Sequence, residues 1–196
     1  MIKKGYRLPV IGCQVIVFSL WLVLLSCIPG CGYTTRSMIS SKYRYIYITP
    51  FVNKVDFSQE SAVANKYKIY RPMLETEITK AVINKYIFDG NLKLKEKGAA
   101  DLVLKGELVE FRKDPLRYSE SDDVDEYRLN ILINISLWDN RENSMLWEEK
   151  NFTGDYTYFP VTSTLTNVVK KSDSQAVVDA VKDLARRVVE RTVEQW

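Results

Sequence analysis

The stretch YRLNILINISL (residues 127–137) alternates with period two. Tyr127, Leu129, Ile131, Ile133, Ile135 and Leu137 fall on one side. Arg128, Asn130, Asn134 and Ser136 fall on the other, with Leu132 as the exception. A helix would scatter these residues around its circumference, whereas a strand lines them up on two faces. One apolar and one wet face mark an antiparallel sheet covered on a single side. The remainder of the chain must therefore supply further strands and an apolar cover.

The cover is legible in two places. Leu74, Ile78, Ala81, Val82 and Tyr86 recur as one apolar stripe of an amphipathic helix, with Pro72 placed for its first turn and Asp89-Gly90-Asn91 as its stop. Val177, Ala180, Val181, Leu184 and Val188 form a second stripe, opened by Ser172 and Gln175 in capping-box spacing. Further strands are expected at residues 43–49, 92–96, 101–111 (with Gly106 as a bulge) and 144–153. Residues 53–71, 112–126 and 154–171 read as loops. The expected fold class is α+β, in the order β-α-β-β-β-β-α. It is a two-layer sandwich of two amphipathic helices on one face of a mostly antiparallel four- to five-stranded sheet.

The N-terminus is of another kind. Lys3, Lys4 and Arg7 are the only charged residues before Cys31, and residues 8–28 are uncharged. A basic start, an apolar run and a small residue before a cysteine make a lipoprotein signal, cut and acylated at that cysteine. An uncleaved transmembrane helix is the other reading of such a run. Cys27 and Cys31 both offer an acylation site. Cutting at Cys31 leaves no stray thiol in an oxidising compartment and is preferred, with Cys27 as the alternative. The expected organisation is a signal peptide at 1–30, a lipidated tether at 31–42 and one α+β domain at 43–196.

Composition excludes several classes. The chain has no histidine, and its three cysteines all lie at or before Cys31. The globular part therefore has no imidazole base, thiolate nucleophile or zinc-thiolate site. After Cys31 there are 25 basic and 25 acidic residues, so nothing indicates a nucleic-acid partner. No nucleophile elbow, phosphate loop or metal motif is present, and no enzyme activity, metal or cofactor is expected beyond the N-terminal lipid. The acidic run Glu120–Glu126 lacks the spacing and glycine of a calcium loop.

Several ordered pieces resemble the lipopolysaccharide-assembly lipoprotein (LptE) family. They are Cys31-Gly32-Tyr33, Ile48-Thr49-Pro50-Phe51-Val52-Asn53, Asp89-Gly90-Asn91-Leu92, residues 100–107 (ADLVLKGE) and Glu126-Tyr127-Arg128-Leu129. The resemblance implies a non-enzymatic lipoprotein held at the periplasmic side of the outer membrane, where Gly32 after the cysteine favours sorting. It implies that the protein plugs a lipopolysaccharide-export β-barrel and helps insert lipopolysaccharide. A pilot protein for a secretion channel, or another envelope binding module, is the rival reading of a small α+β lipoprotein.

By the same resemblance, basic residues in loops at one end of the sheet would bind lipopolysaccharide. Arg112, Lys113 and Arg117 occupy one such loop, and Lys170 and Lys171 end the other. Guanidinium forks suit phosphate. Glu120, Asp122, Asp123, Asp125 and Glu126 follow the first loop and would offset its charge. Tyr156, Tyr158 and Phe159 are candidates for barrel contact, since aromatic residues are enriched in interfaces, or they cover the end of the sandwich.

Overall fold

The computed structural model describes residues 42–56 and 67–194. The described residues belong to one compact unit. The signal peptide expected at 1–30 and the tether expected at 31–42, save Lys42, lie outside them. No helix among the described residues is long and apolar enough to cross a membrane.

Strand β1 (Tyr45–Ile48) and the short β2 (Val52–Asn53) lead to helix α1 (Leu74–Asp89). Strand β3 (Lys93–Leu94) and a 3-10 turn (Lys97–Ala99) follow. Three long strands come next: β4 (Leu102–Tyr118), β5 (Val124–Asp139) and β6 (Ser144–Pro160). Strand β7 (Lys170–Lys171) and helix α2 (Asp173–Glu194) complete the chain. The two helices and the sheet share one apolar core.

The α+β class holds, but the sheet is larger than expected and mixed. It has seven strands in the order β3-β1-β4-β5-β6-β7, with β2 added beside β4. Strands β4, β5 and β6 are antiparallel, whereas β1 is parallel to β3 and β4, β2 to β4, and β7 to β6. A strand of two residues carries no period, so β2, β3 and β7 leave no sequence pattern. The parallel pairing of β1 with β3 follows from the helix between them, because α1 returns the chain to its starting end.

Two expected loops are strands. Residues 112–118 continue β4 and residues 154–160 continue β6. Pro115 and the crowd of charges signal a loop in the sequence, yet both fit a sheet edge. Tyr67–Ile69 pair with β4 only as far as Lys113, and beyond it no described residue pairs on that side. An edge strand tolerates proline because no N–H is needed there. Helix α1 starts at Leu74 and not at Pro72, because Met73 takes a left-handed backbone (φ 61°) and turns the chain first.

The alternation in β5 does what period two requires. Leu129, Ile131, Ile133, Ile135 and Leu137 are buried, and both helices lie on that face. Helix α1 buries Leu74, Ile78, Val82 and Tyr86, while Ala81 is only half-buried. The whole expected stripe of α2 is buried. The capping box forms, with Gln175 N–H 3.4 Å from Ser172 Oγ and Ser172 N–H 3.3 Å from Gln175 Oε1.

Glycines set the two closest approaches. A Cβ on Gly106 would stand 2.1 Å from the Phe51 ring, so Gly106 is a seat for that ring. The bulge expected at Gly106 lies instead between Leu108 and Glu110. A Cβ on Gly154 would stand 2.5 Å from Leu184 Cβ and 2.7 Å from its Cα, so α2 rests directly on β6 there.

Candidate functional site at the free end of the sheet

The antiparallel order puts the β4–β5 turn (Ser119–Asp123) and the β6–β7 loop (161–169) at one end of the sheet. The turn closes through Ser119 N–H to the Asp123 carbonyl at 2.7 Å and Asp123 N–H to Ser119 Oγ at 3.1 Å. Buried Asp125 ties the loop to the hairpin. Its carboxylate accepts the Ser163 hydroxyl (2.9 Å), the Thr164 N–H (2.5 Å) and the Thr164 hydroxyl (2.9 Å). Burial alone would raise its pKa, but those donors outweigh burial and hold it below the ordinary carboxylate range.

The five candidate cations are not alike. Arg112 lies on the wet face, 2.8 Å from Asp114 and 3.5 Å from Glu110. Lys113 points to the helix face, where its Nζ is 2.5 Å from Asp173 and 4.0 Å from the Tyr127 ring centroid. Lys171 donates to Asp179 (2.6 Å) and to the Tyr156 hydroxyl (2.5 Å), and Asp179 raises its pKa. These three are committed to internal partners. Arg117 is mostly exposed, with only a 3.5 Å contact to Glu126, and Lys170 Nζ donates to the neutral Ser163 carbonyl at 2.5 Å. Arg117 and Lys170 thus keep most of their charge for an outside anion. Both adjoin the Asp125 staple, Lys170 through Ser163 and Arg117 through its attraction for the Asp125 carboxylate.

The candidate aromatics stand in β6 rather than in a loop. Tyr158 is buried and stacks with Tyr127, with ring centroids 6.0 Å apart. Its hydroxyl donates to Asp173 at 2.6 Å, and burial, with Asp173 beside it, pushes its pKa up. Tyr156 packs partly buried against the core, and Phe159 is half-buried on the other face. The exposed apolar residues of this end are others. Leu116, Tyr118, Val161 and Val169 are 44%, 54%, 66% and 79% exposed, so they outweigh the three candidates as contact surface. Reading residues 112–118 as loop hid Leu116 and Tyr118, and Val161 and Val169 lack any period.

A second concavity of about 830 Å³ runs between the helices, floored by Ala81, Val181 and Ala185 and bordered by Phe88. Among the described residues no cluster of His, Cys, Asp or Glu could hold a metal ion.

A lipopolysaccharide-assembly (LptE) family model matches residues 43–192, the whole sandwich. The chain belongs to that family. It is a family of non-enzymatic lipoproteins that work with the lipopolysaccharide-transport machinery. No curated protein matches the chain in sequence. Among solved structures, the hypothetical protein CT253 from Chlamydia trachomatis is similar at 14% identity over 76% of this chain and 95% of that one, with a TM-score of 0.48. The PelC dodecamer from Paraburkholderia phytofirmans is similar at 12% identity over 82% and 96%, with a TM-score of 0.47. The rare lipoprotein B from Shewanella oneidensis is similar at 16% identity over 76% and 89%, with a TM-score of 0.42. With each TM-score below 0.5, none of these likenesses bears on function. Within the LptE-family sandwich, the free end brings the exposed Leu116, Tyr118, Val161 and Val169 together with Arg117 and Lys170.

Proposed function

We propose that this LptE-family chain is an outer-membrane lipoprotein, acylated at Cys31, that enters and plugs a lipopolysaccharide-export β-barrel from the periplasmic side. Its free end would meet the barrel lumen and the glycolipid there. The observation that carries this reading is polarity along the sheet. The chain enters the described domain at Lys42, beside the β5–β6 turn, where Lys42 contacts Asp139 and Glu142. Leu116, Tyr118, Val161 and Val169, with Arg117 and Lys170, lie together at the opposite end of β4, a strand of 17 residues. At about 3.3 Å per residue that separation is roughly 50 Å, more than the ~30 Å hydrocarbon core of a bilayer. A lipid-tethered domain of that length can hold one end at the periplasmic leaflet while the other reaches into a barrel.

In this reading Arg117 and Lys170 meet lipid A phosphates, while Leu116, Tyr118 and Val161 touch acyl chains or the barrel wall. Lys113, Lys171 and Tyr158 tie strands β4, β6 and β7 to helix α2 through Asp173 and Asp179. The test is affinity purification of the tagged full chain, followed by lipopolysaccharide binding. Wild type should recover a large β-barrel. Arg117→Glu with Lys170→Glu should weaken lipopolysaccharide binding while the barrel is retained. Recovery of a secretin ring or a peptidoglycan-linked complex instead would overturn the assignment.

A further inference from the structure

The end where the chain enters the domain has a surface of its own. Helix α1 finishes there, with Gly90 in a left-handed conformation (φ 74°) and its N–H bonded to the Tyr86 carbonyl. In that last turn Phe88 is 86% exposed and Ile87 65% exposed. Phe88 is the most exposed large apolar side chain among the described residues. The surrounding segments are fixed by backbone and side-chain bonds. Lys93 N–H donates to the Arg44 carbonyl at 2.9 Å, and Asn140 Nδ2 donates to the Lys97 carbonyl at 2.7 Å. The end of α1, the 3-10 turn, the β5–β6 turn and the first described residues are therefore neighbours.

The charges there are sorted. Asp101 and Asp139 are buried and engaged by the Arg44 and Tyr45 N–H groups, by Lys42, by the Tyr43 hydroxyl and by Arg141. Burial would raise both carboxyls, but these donors hold both below the ordinary range. The acids are thus turned inward, while Arg44, Lys93, Lys95 and Lys97 are exposed. Those four and Lys85 make no ion pair among the described residues. Lys85 Nζ stands 5.5 Å over the Phe88 ring. At this end of the domain the carboxylates without an ion pair among the described residues are Asp89 and Glu96.

An exposed aromatic and a branched aliphatic side chain, at an end of the domain that also carries Arg44, Lys85, Lys93, Lys95 and Lys97, suit a lipid interface. The ring enters the headgroup layer, and the lysines reach the phosphates on long apolar stems. The excess of cations at this end complements an anionic surface. Position supports the same occupant. Ten residues separate Cys31 from Lys42. Even fully extended the chain between them reaches no more than about 40 Å, so an acylated Cys31 would keep this end near the leaflet.

We propose that this end is a second membrane contact, in which Phe88 and Ile87 enter an anionic lipid surface and Arg44, Lys93 and Lys97 bind its phosphates. It rests on the reading that Cys31 carries lipid. The contact would fix the domain upright on its tether and so aim the free end of the sheet.

The test uses the full chain, isolated from cells, in vesicles of phosphatidylglycerol and phosphatidylcholine whose acyl chains carry bromine. Phe88→Trp places a reporter at an exposed site that folding does not need, and wild type gives the baseline of the native tryptophans. The introduced indole should be quenched in anionic vesicles and less so in purely zwitterionic ones. Adding Lys93→Glu and Lys97→Glu should lower the membrane-bound fraction of this end about fivefold per lysine. Flotation and N-terminal mass report the lipid anchor separately. A chain that is anchored but shows no quenching of the reporter overturns the inference and leaves the anchor intact. A chain that lacks lipid refutes the anchor; quenching by added anionic vesicles would then still support the contact, and its absence would overturn it. Quenching that the charge reversals leave unchanged, or burial of the reporter seen only when a β-barrel is co-reconstituted, also overturns it.

Discussion

Gly154→Ala should be far more damaging than an alanine substitution in a strand normally is. The new Cβ would lie 2.5 Å from Leu184 Cβ and 2.7 Å from Leu184 Cα. Carbon atoms in contact sit about 3.5–4.0 Å apart, so α2 must withdraw by about 1 Å. Helix α2 cannot do so locally, because Val181, Ala185 and Val188 on either side of Leu184 are also buried. Forcing volume into such a contact costs about 1–3 kcal/mol, and a backbone obstacle puts this site at the upper end. Alanine regains about 0.4–1 kcal/mol by restricting the unfolded chain, which does not offset the clash. The net loss is about 2 kcal/mol, or roughly 4–8 °C in Tm for a domain of this size. Circular-dichroism melting and urea titration would measure it. Gly98→Ala is the control, since nothing lies within 4 Å of its Cβ, and should stay within about 0.5 kcal/mol. Gly106→Ala provides the contrast. The three atoms nearest its Cβ all belong to the Phe51 ring, so on a Phe51→Ala background the added cost should fall sharply. Leu184→Ala should not rescue Gly154→Ala, because Cβ and Cα remain. A loss below about 0.5 kcal/mol for Gly154→Ala, or full rescue by Leu184→Ala, would refute the idea that the bare strand backbone seats α2.

Asp125→Asn should free the 161–169 loop while leaving the sandwich folded, read as faster limited proteolysis within that loop at unchanged far-ultraviolet circular dichroism. The folded-state pKa values of Asp101, Asp125 and Asp139 all lie below the unfolded value of about 3.9. Their contribution is therefore present in full above that value and is lost as pH falls through the folded values; Tm should drop below about pH 4, and Asp139→Asn should flatten that decline. Tyr158→Phe should cost about 1 kcal/mol, because Asp173 keeps Lys113 as a partner, and Lys113→Met on top should cost more than the two singles together in a double-mutant cycle. Cys31→Ser should abolish lipidation; a variant still lipidated and membrane-bound would move the anchor to Cys27 or to the uncleaved helix.

The buried faces are legible because burial imposes a period. Leu129 to Leu137 repeat every two residues, and Leu74 to Tyr86 and Val177 to Val188 repeat at helical spacing. The charged stretches mislead for the opposite reason. Arg112–Tyr118 and Asp155–Pro160 extend strands whose period is masked by polar or aromatic side chains on both faces. The candidate cations do lie toward one end of the sheet, as the strand order requires. Which of them remain available is not legible, since Lys113 is neutralised by a residue 60 positions away.

The sequence by itself determined the class of fold, the two covering helices, the absence of thiol and imidazole chemistry after Cys31, and the family resemblance. Each of these rests on residue type or on short-range spacing. Only the tertiary structure decided the mixed sheet, the seats at Gly106 and Gly154, the inward-turned Asp101, Asp125 and Asp139, and the exposure of Phe88. These depend on partners far apart in the chain, and whether a charge is spent or a ring is covered is settled by what folds against it.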